Sequence, residues 1–275
     1  MRRRCTSWKE KFPKENRYFE TESGILYCGD CLEVMREFPK GSVNFVFTSP
    51  PYNLGTPYDR WSDKMDYAEY LDWCREWNEL IYSVLRDDGR YCLNHYLSCG
   101  TSEFRFAPLM DLNWILTREI GFKHHGLAIW FDTTLCARTA WGSWASASAP
   151  YVNSPFEGVL ILYKRQWKRR DEGESTVGGD LFVELCHGVW KAVPEKEYRK
   201  VHPAPFPEKL VEYGIRLFTF VSDIVLDPFV GSGTTAVVAE RLGRRWIGVE
   251  LSEKYCEISK KRLKKESAKL FKVVK

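Results

Sequence analysis

Short apolar runs alternate along this chain with longer stretches whose apolar residues recur at helical spacing, the pattern of a parallel sheet covered by helices on both faces. Residues 25–27, 43–47, 91–94, 126–130, 159–163, 224–226 and 246–249 read as seven strands. Residues 67–85 carry Leu71, Cys74, Leu80, Ile81, Val84 and Leu85 at near-helical spacing, which predicts a covering helix that Asp87-Asp88-Gly89 ends. A last helix starts near Glu253 with Ser252 as its N-cap and turns Cys256, Leu263 and Leu270 to one face, its Lys and Arg forming the solvated side.

Two stretches break the alternation. Residues 131–158 hold Trp141-Gly142-Ser143-Trp144-Ala145-Ser146-Ala147-Ser148-Ala149-Pro150, too rich in Gly, Ser and Pro for a helix and too irregular for a strand, so a long loop is expected. Residues 164–201 open on Lys164-Arg165-Gln166-Trp167-Lys168-Arg169-Arg170 and pass through a polar segment to Val189-Trp190-Lys191. A loop of that length in a compact domain is functional or disordered.

A chain of 275 residues, 44% hydrophobic and 28% charged, has the makeup of a globular protein large enough to bury its core without staples. Forty-one Lys and Arg against 37 Asp and Glu leave a net charge of +4, which neither demands nor excludes a polyanionic partner. There is no run of about 18 apolar residues. The start, Met1-Arg2-Arg3-Arg4, lacks the apolar stretch of a secretory signal, so no membrane association and a cytoplasmic location are expected. Nine scattered cysteines fit a reducing compartment. Cys28 and Cys31 form a C-x-x-C, but no second pair and no suitably spaced His pair completes four zinc ligands, so no metal is expected.

The strongest signal for chemistry is Asp223-Ile224-Val225-Leu226-Asp227-Pro228-Phe229-Val230-Gly231-Ser232-Gly233-Thr234-Thr235-Ala236. An apolar strand runs into a glycine-rich turn and then into a helix of small residues, and the next strand delivers Glu250 at its end, where a carboxylate accepts from both hydroxyls of a ribose. The Gly-Lys-Ser/Thr of phosphate-cradling loops is absent, and Asp227 ahead of the glycines would repel a pyrophosphate. A nucleoside with a cationic group fits better. S-adenosylmethionine, with its sulfonium, ammonium and adenosine, is such a ligand.

Upstream, Val43-Asn44-Phe45-Val46-Phe47-Thr48-Ser49-Pro50-Pro51-Tyr52-Asn53 ends a strand in a hydroxyl, two prolines and an aromatic. Prolines fix φ and stop strands, so an ordinary turn is one reading. The other is a cradle: the Pro50 carbonyl and Ser49 hydroxyl are held side by side as acceptors, with Tyr52 offering a flat face to a planar amine-bearing base.

With these residues in hand the chain resembles the β-class amino DNA methyltransferases. Thr48-Ser49-Pro50-Pro51-Tyr52 is similar to their catalytic motif and 227–235 to their cofactor motif, and the catalytic motif comes first, as in that permuted class. Gly29-Asp30-Cys31-Leu32, Trp141-Gly142-Ser143-Trp144 and His202-Pro203-Ala204-Pro205-Phe206-Pro207 match as well, over roughly residues 22–265. The resemblance implies a circularly permuted Rossmann-like α/β fold, a seven-stranded mostly parallel sheet with helices on both faces. It divides the chain into a catalytic half at 22–163, a small target-recognition insert at 164–201 and a cofactor half at 202–265.

It also implies roles. Glu250 would take the ribose hydroxyls, Asp30 the adenine amine and Phe229 an adenine face. Asp227, Gly231, Gly233, Thr234 and Thr235 would wrap the methionine end with Phe206 and Pro207, and Cys31, His202 and Pro228 would complete the cofactor site. Ser49, Pro50, Pro51 and Tyr52 would hold a base flipped out of double-stranded DNA. Lys164, Arg165, Lys168, Arg169 and Arg170 would meet phosphates at the edge of the insert, unless they are only a solvated edge. The insert is short for the family, which leaves open a short recognition sequence, help from residues 53–66, or a second subunit in a homodimer.

Acceptors on both N–H groups of an exocyclic amine localise its lone pair for in-line attack on the methyl group, and alignment alone supplies several kcal/mol, on the order of 7 to 11 in oriented model systems. The expected reaction is methyl transfer from S-adenosylmethionine to a base amine in DNA, alongside a cognate restriction endonuclease. RNA or protein amides as substrates, a DNA-binding module with a dead site, and a nicotinamide dehydrogenase are the competing readings. Ring-carbon methylation of cytosine needs a Pro-Cys nucleophile, and no Pro-Cys dipeptide occurs. In the family a serine at the position of Ser49 goes more often with cytosine N4, an aspartate or asparagine with adenine N6, so N4-methylcytosine is the expected product and N6-methyladenine the alternative.

Overall fold

Strands buried on both faces read as near-continuous apolar runs, because each residue meets a helix layer whichever way its side chain points. Val43–Thr48 is such a strand, buried along its whole length, with Val46 facing one core and Phe45 and Phe47 the other. The computed structural model describes residues 7–100, 105–131, 142–150, 156–195 and 197–273. In chain order the strands are β1 (Arg17–Glu20), β2 (Gly24–Cys28), β3 (Val43–Thr48), β4 (Leu85–Tyr96), β5 (Cys99–Gly100), β6 (Arg105–Phe106), β7 (Lys123–Phe131), β8 (Glu157–Tyr163), β9 (Val189–Lys191), β10 (Ile224–Asp227) and β11 (Arg245–Glu250). The helices are α1 (Cys31–Arg36), α2 (Tyr67–Val84), α3 (Pro108–Trp114), α4 (Gly179–Cys186), α5 (Glu208–Phe218), α6 (Thr234–Arg241) and α7 (Glu253–Val273).

Nine strands form one sheet in the order β1-β2-β11-β10-β3-β4-β8-β7-β9. From β2 to β4 all neighbours are parallel, and β8 runs antiparallel between β4 and β7. Helices α1, α2 and α3 cover one face and α4 to α7 the other, each over its own apolar core. The chain leaves β10 through α6 toward β11 and leaves β3 through α2 toward β4, so the strand order reverses between β10 and β3. In open α/β sheets that reversal opens a crevice at the carboxyl ends of the strands. Residues 22–163 and 202–265 therefore share one sheet, and β9, from residues 164–201, extends it.

The seven expected strands are all present, and the sheet gains β1 and β9 at its edges. Neither has an apolar signature: β1 sets two aromatics between two charged residues, and β9 buries only Trp190. Asp87-Asp88-Gly89 does not end a helix. Helix α2 stops at Val84 and Leu85 enters β4 directly, with the buried Asp88 carboxylate accepting from Arg86 Nε (3.1 Å) and the Arg170 amide (2.9 Å). Within the long loop, residues 142–150 form a closed turn bridged from Gly142 to Pro150, and Trp141 lies outside the described residues. No helix among the described residues is long and apolar enough to cross a membrane.

Candidate active site

The glycine-rich turn is shaped by close approach. Gly231 has φ 51° and Gly233 φ 87°, and a Cβ on Gly231 would stand 2.8 Å from His202 Nε2, one on Gly233 2.9 Å from Ser259 Oγ. Helix α7 backs this turn, Ser259 Oγ donating to the Gly231 carbonyl (2.6 Å) and Arg262 to the Ser232 carbonyl (2.9 Å). Above it lies a cavity of about 850 Å³, open to solvent, whose walls include Asp30, Ser49, His202, Phe206, Phe229 and Glu250. Cys31, Pro228, Gly231 and Thr234 also line it.

Glu250 ends β11 with its carboxylate held by two backbone amides, Oε2 accepting from Gly231 (2.9 Å) and Oε1 from Ser252 (2.8 Å). Burial outweighs those donors and lifts its pKa to about 7. Asp30 caps α1 by accepting from the Leu32 amide (2.7 Å). Burial and the nearby Arg262 guanidinium lower His202 to about 4, so the ring between Gly231 and Tyr255 is neutral at pH 7.

Asp227 lies elsewhere than expected. It is buried under the turn, Oδ1 accepting from Thr48 Oγ1 (2.7 Å) and the Phe229 amide (3.0 Å), Oδ2 from Thr235 Oγ1 (2.6 Å). Both oxygens are thus committed inside the protein, and the acid is a tie between β3 and the turn, not a counter-ion for a cationic ligand. Thr235 is buried with it, Gly233 caps α6, and Pro207 caps α5 behind Phe206; none of these four lines the cavity.

A second cavity adjoins the first, of about 770 Å³ including its mouth. Ser49, Tyr58 and the segment 204–206 wall both cavities, whereas Pro50 and Tyr52 face only the second and Pro51 only the first. The Tyr52 ring packs on His95 with centroids 4.2 Å apart, and its hydroxyl lies 2.6 Å from Ser49 Oγ and donates to Glu157 Oε2 at 2.8 Å. Asn94 Nδ2 donates to Tyr52 (2.8 Å) and to Glu157 (2.5 Å). Residues 53–66 form the rim. Buried Asp63 accepts from the amides of Asn53, Leu54 and Thr56, and Trp61 packs on Trp73 of α2 at 4.6 Å.

The sequence reading missed Glu157, Asn94, Tyr58, Trp73 and Tyr255. Glu157 stands at the start of its strand, before the apolar run that the sequence shows, and the others look like ordinary strand, loop and helix residues.

Two residues of the basic run 164–170, Lys164 and Arg169, are turned into the protein and not toward a phosphate as expected. Tyr96 pairs with Glu157 and Arg90 with Tyr163, so Lys164 follows β8 at the edge of the sheet opposite Tyr52, roughly 20 Å away at the rise of a strand. Lys164 is buried, donating to the Leu85 carbonyl (2.7 Å); Arg169 pairs with Asp223 at 2.9 Å, and Arg170 donates to Gln166. Arg165 lies beside Asp87, and Lys168 is exposed. We propose that this stretch is a solvated and structural edge, with Lys164 and Arg169 its structural part. Replacing Arg165 and Lys168 by alanine is expected to leave the salt dependence of DNA binding unchanged, where two lost phosphate contacts would lower the slope of log K against log salt by about 1.8.

A cavity at the strand-order reversal of a doubly wound sheet, sharing Ser49 in its wall with a second cavity, is the arrangement expected of an S-adenosylmethionine-dependent amino methyltransferase. Residues 43–261 match the family model of the N6/N4 DNA methylases, and the chain belongs to that family. Among its relatives, the type II methyltransferase M.MjaVI of Methanocaldococcus jannaschii is 38% identical over 156 residues, 56% of this chain and 78% of that one. M.ScaI of Streptomyces caespitosus is 27% identical over 92% of this chain and 86% of its own. Of solved structures, the PvuII DNA methyltransferase described as cytosine-N4-specific superposes with a TM-score of 0.71 at 25% identity, covering 90% of this chain and 89% of that chain. The Thermus thermophilus protein TTHA0409, complexed with S-adenosyl-L-methionine, gives 0.69 at 29% identity over 88% and 93%. The chain is a DNA methyltransferase of the N4/N6 amino class, and its cofactor is S-adenosylmethionine.

Proposed function

We propose that the protein methylates N4 of cytosine within a defined sequence of double-stranded DNA, as the modification partner of a restriction endonuclease. The observation that carries this reading is the position of Ser49 in the wall common to both cavities, the place where a methyl donor on one side meets an amine on the other. In this reading the first cavity takes the cofactor, with Glu250 on the ribose hydroxyls, Asp30 on the adenine amine and Phe229 on an adenine face. Gly231 and Thr234 then bound the methionine end, and Pro228, Cys31, His202 and Phe206 the remaining walls. The second cavity takes the flipped base, stacked on Tyr52, with its amine on Ser49 Oγ and the Pro50 carbonyl.

Serine at position 49 and the likeness to the PvuII enzyme support cytosine, and the type II methyltransferases among the relatives support a restriction partner. N6-methyladenine is the second reading, since both amines present the same two N–H groups. Incubation with unmethylated DNA and S-adenosylmethionine, followed by nucleoside mass spectrometry, is expected to yield N4-methylcytosine; N6-methyladenine as sole product reverses the base.

A further inference from the structure

Glu157 has no part in the scheme above, although its carboxylate is two hydrogen bonds from Ser49. It opens β8 at the sheet edge that carries the site, opposite Tyr96 on one neighbouring strand and Trp130 on the other, and it lines the second cavity. An ionised carboxylate only accepts, and a phenol has one proton to give. With Glu157 Oε2 at 2.8 Å and the Asn94 carbonyl at 3.2 Å, the Tyr52 proton goes to the charged, nearer oxygen. The Tyr52 oxygen must then accept, from Asn94 Nδ2 at 2.8 Å and from Ser49 at 2.6 Å. That fixes the direction of the serine hydroxyl: its proton points into the network and its lone pairs face the cavity.

We infer that Glu157 is the positioning residue that makes Ser49 an obligate acceptor for the target amine and the terminus that receives the proton this amine sheds. The inference rests on the reading of Ser49 as the group that holds the amine. As the amine nitrogen attacks, the nitrogen–carbon bond forms and the sulfur–carbon bond breaks, and the electron pair stays on sulfur. The methylated ammonium then loses a proton to Ser49 Oγ while the Ser49 proton passes to Tyr52 and the Tyr52 proton to Glu157. Charge and atoms balance without another base. The groups facing this relay are Tyr96 and His95, the latter held neutral by burial at a pKa of about 3. No Lys or Arg is among the described residues lining the cavity.

The test is single-turnover methyl transfer by the full chain, read between pH 5.5 and 8.5. Glu157→Gln keeps the shape and removes the charge; with S-adenosylmethionine saturating at every pH, it is expected to slow transfer at least about tenfold at pH 7, to flatten the loss of rate expected of wild type toward acid pH, and to leave S-adenosylmethionine affinity within about twofold. Tyr52→Phe keeps the ring and cuts the relay, so it should slow transfer comparably, and the double variant should be no slower than either single one. A Glu157→Gln enzyme within twofold of wild type at every pH overturns the inference. So does a double variant slowed by the product of the two single effects. Should Glu157→Gln lose cofactor binding, Tyr52→Phe decides alone, a rate within twofold of wild type overturning the relay. The comparison is made on whichever base the mass spectrum reports, so an adenine product revises the proposed base and leaves the relay standing.

Discussion

Asp227→Ala is expected to lose about 3 kcal/mol or more of folding stability, if each of its three buried donors forfeits even the lower end of the ~1 to 3 kcal/mol that an unsatisfied buried polar group costs. Those donors are Thr48 Oγ1, Thr235 Oγ1 and the Phe229 amide, and the carboxylate that serves them is 1% exposed. The variant should also lose cofactor affinity, because Thr48 ends the strand that carries Ser49 and Phe229 lines the cavity proposed for the cofactor. Urea unfolding and calorimetric titration with S-adenosylmethionine measure the two effects, and a fully stable variant would show the tie to be dispensable.

Burial raises Asp227 to about 6, against 3.8 for an unperturbed aspartate. The folded protein therefore holds a proton that the unfolded chain has released, and stability from this group is full below about pH 4 and falls as pH rises through about 6. Asp227→Asn, neutral throughout, lacks that decline, so its deficit relative to wild type should shrink between pH 4 and pH 7.

The central strands were legible because burial on both faces leaves them mostly apolar, and Gly231 and Gly233 because a turn with positive φ admits little else. Ser49 and Glu250 were legible because each ends such a strand, where topology places ligands. Glu157 was not: β8 runs against its neighbours, so the residue that reaches the site stands at the start of its strand, and only the pairing of Tyr96 with Glu157 brings it to Tyr52. The same antiparallel turn of the sheet misled the reading of 164–170. Five cations in seven residues look like a phosphate contact, yet they follow the far end of β8, where Asp87, Asp88 and Asp223 pair with Lys164, Arg165 and Arg169. Asp227 misled for another reason: sequence gives a carboxylate's distance from the glycines but not the direction in which it turns.

Glu250 carries the second large effect, on cofactor binding as a function of pH. Burial holds its carboxyl at about 7, above the 4.5 of an exposed glutamate, against the pull of two amide donors and with Asp227 adding repulsion. Ribose hydroxyls donate to a carboxylate better than to a carboxylic acid, so the cofactor binds the ionised form and lowers this pKa. Affinity should therefore be full above about pH 7.5 and weaken below pH 7, approaching about tenfold per unit of pH, since one unit of pKa is worth about 1.4 kcal/mol. Titrations in buffers of different ionisation enthalpy should show proton release on binding near pH 6.5. His202, at about 4, stays neutral above pH 5.5 and does not contribute in that window. Glu250→Ala should cost about 1.5 to 3 kcal/mol of binding at pH 8, the range for hydrogen bonds to a charged group. Glu250→Gln, which keeps an acceptor but cannot ionise, should bind more weakly than wild type at pH 8 and with no slope in pH. A wild-type Kd that is flat from pH 5.5 to 8, with no proton released, would remove Glu250 from the ribose.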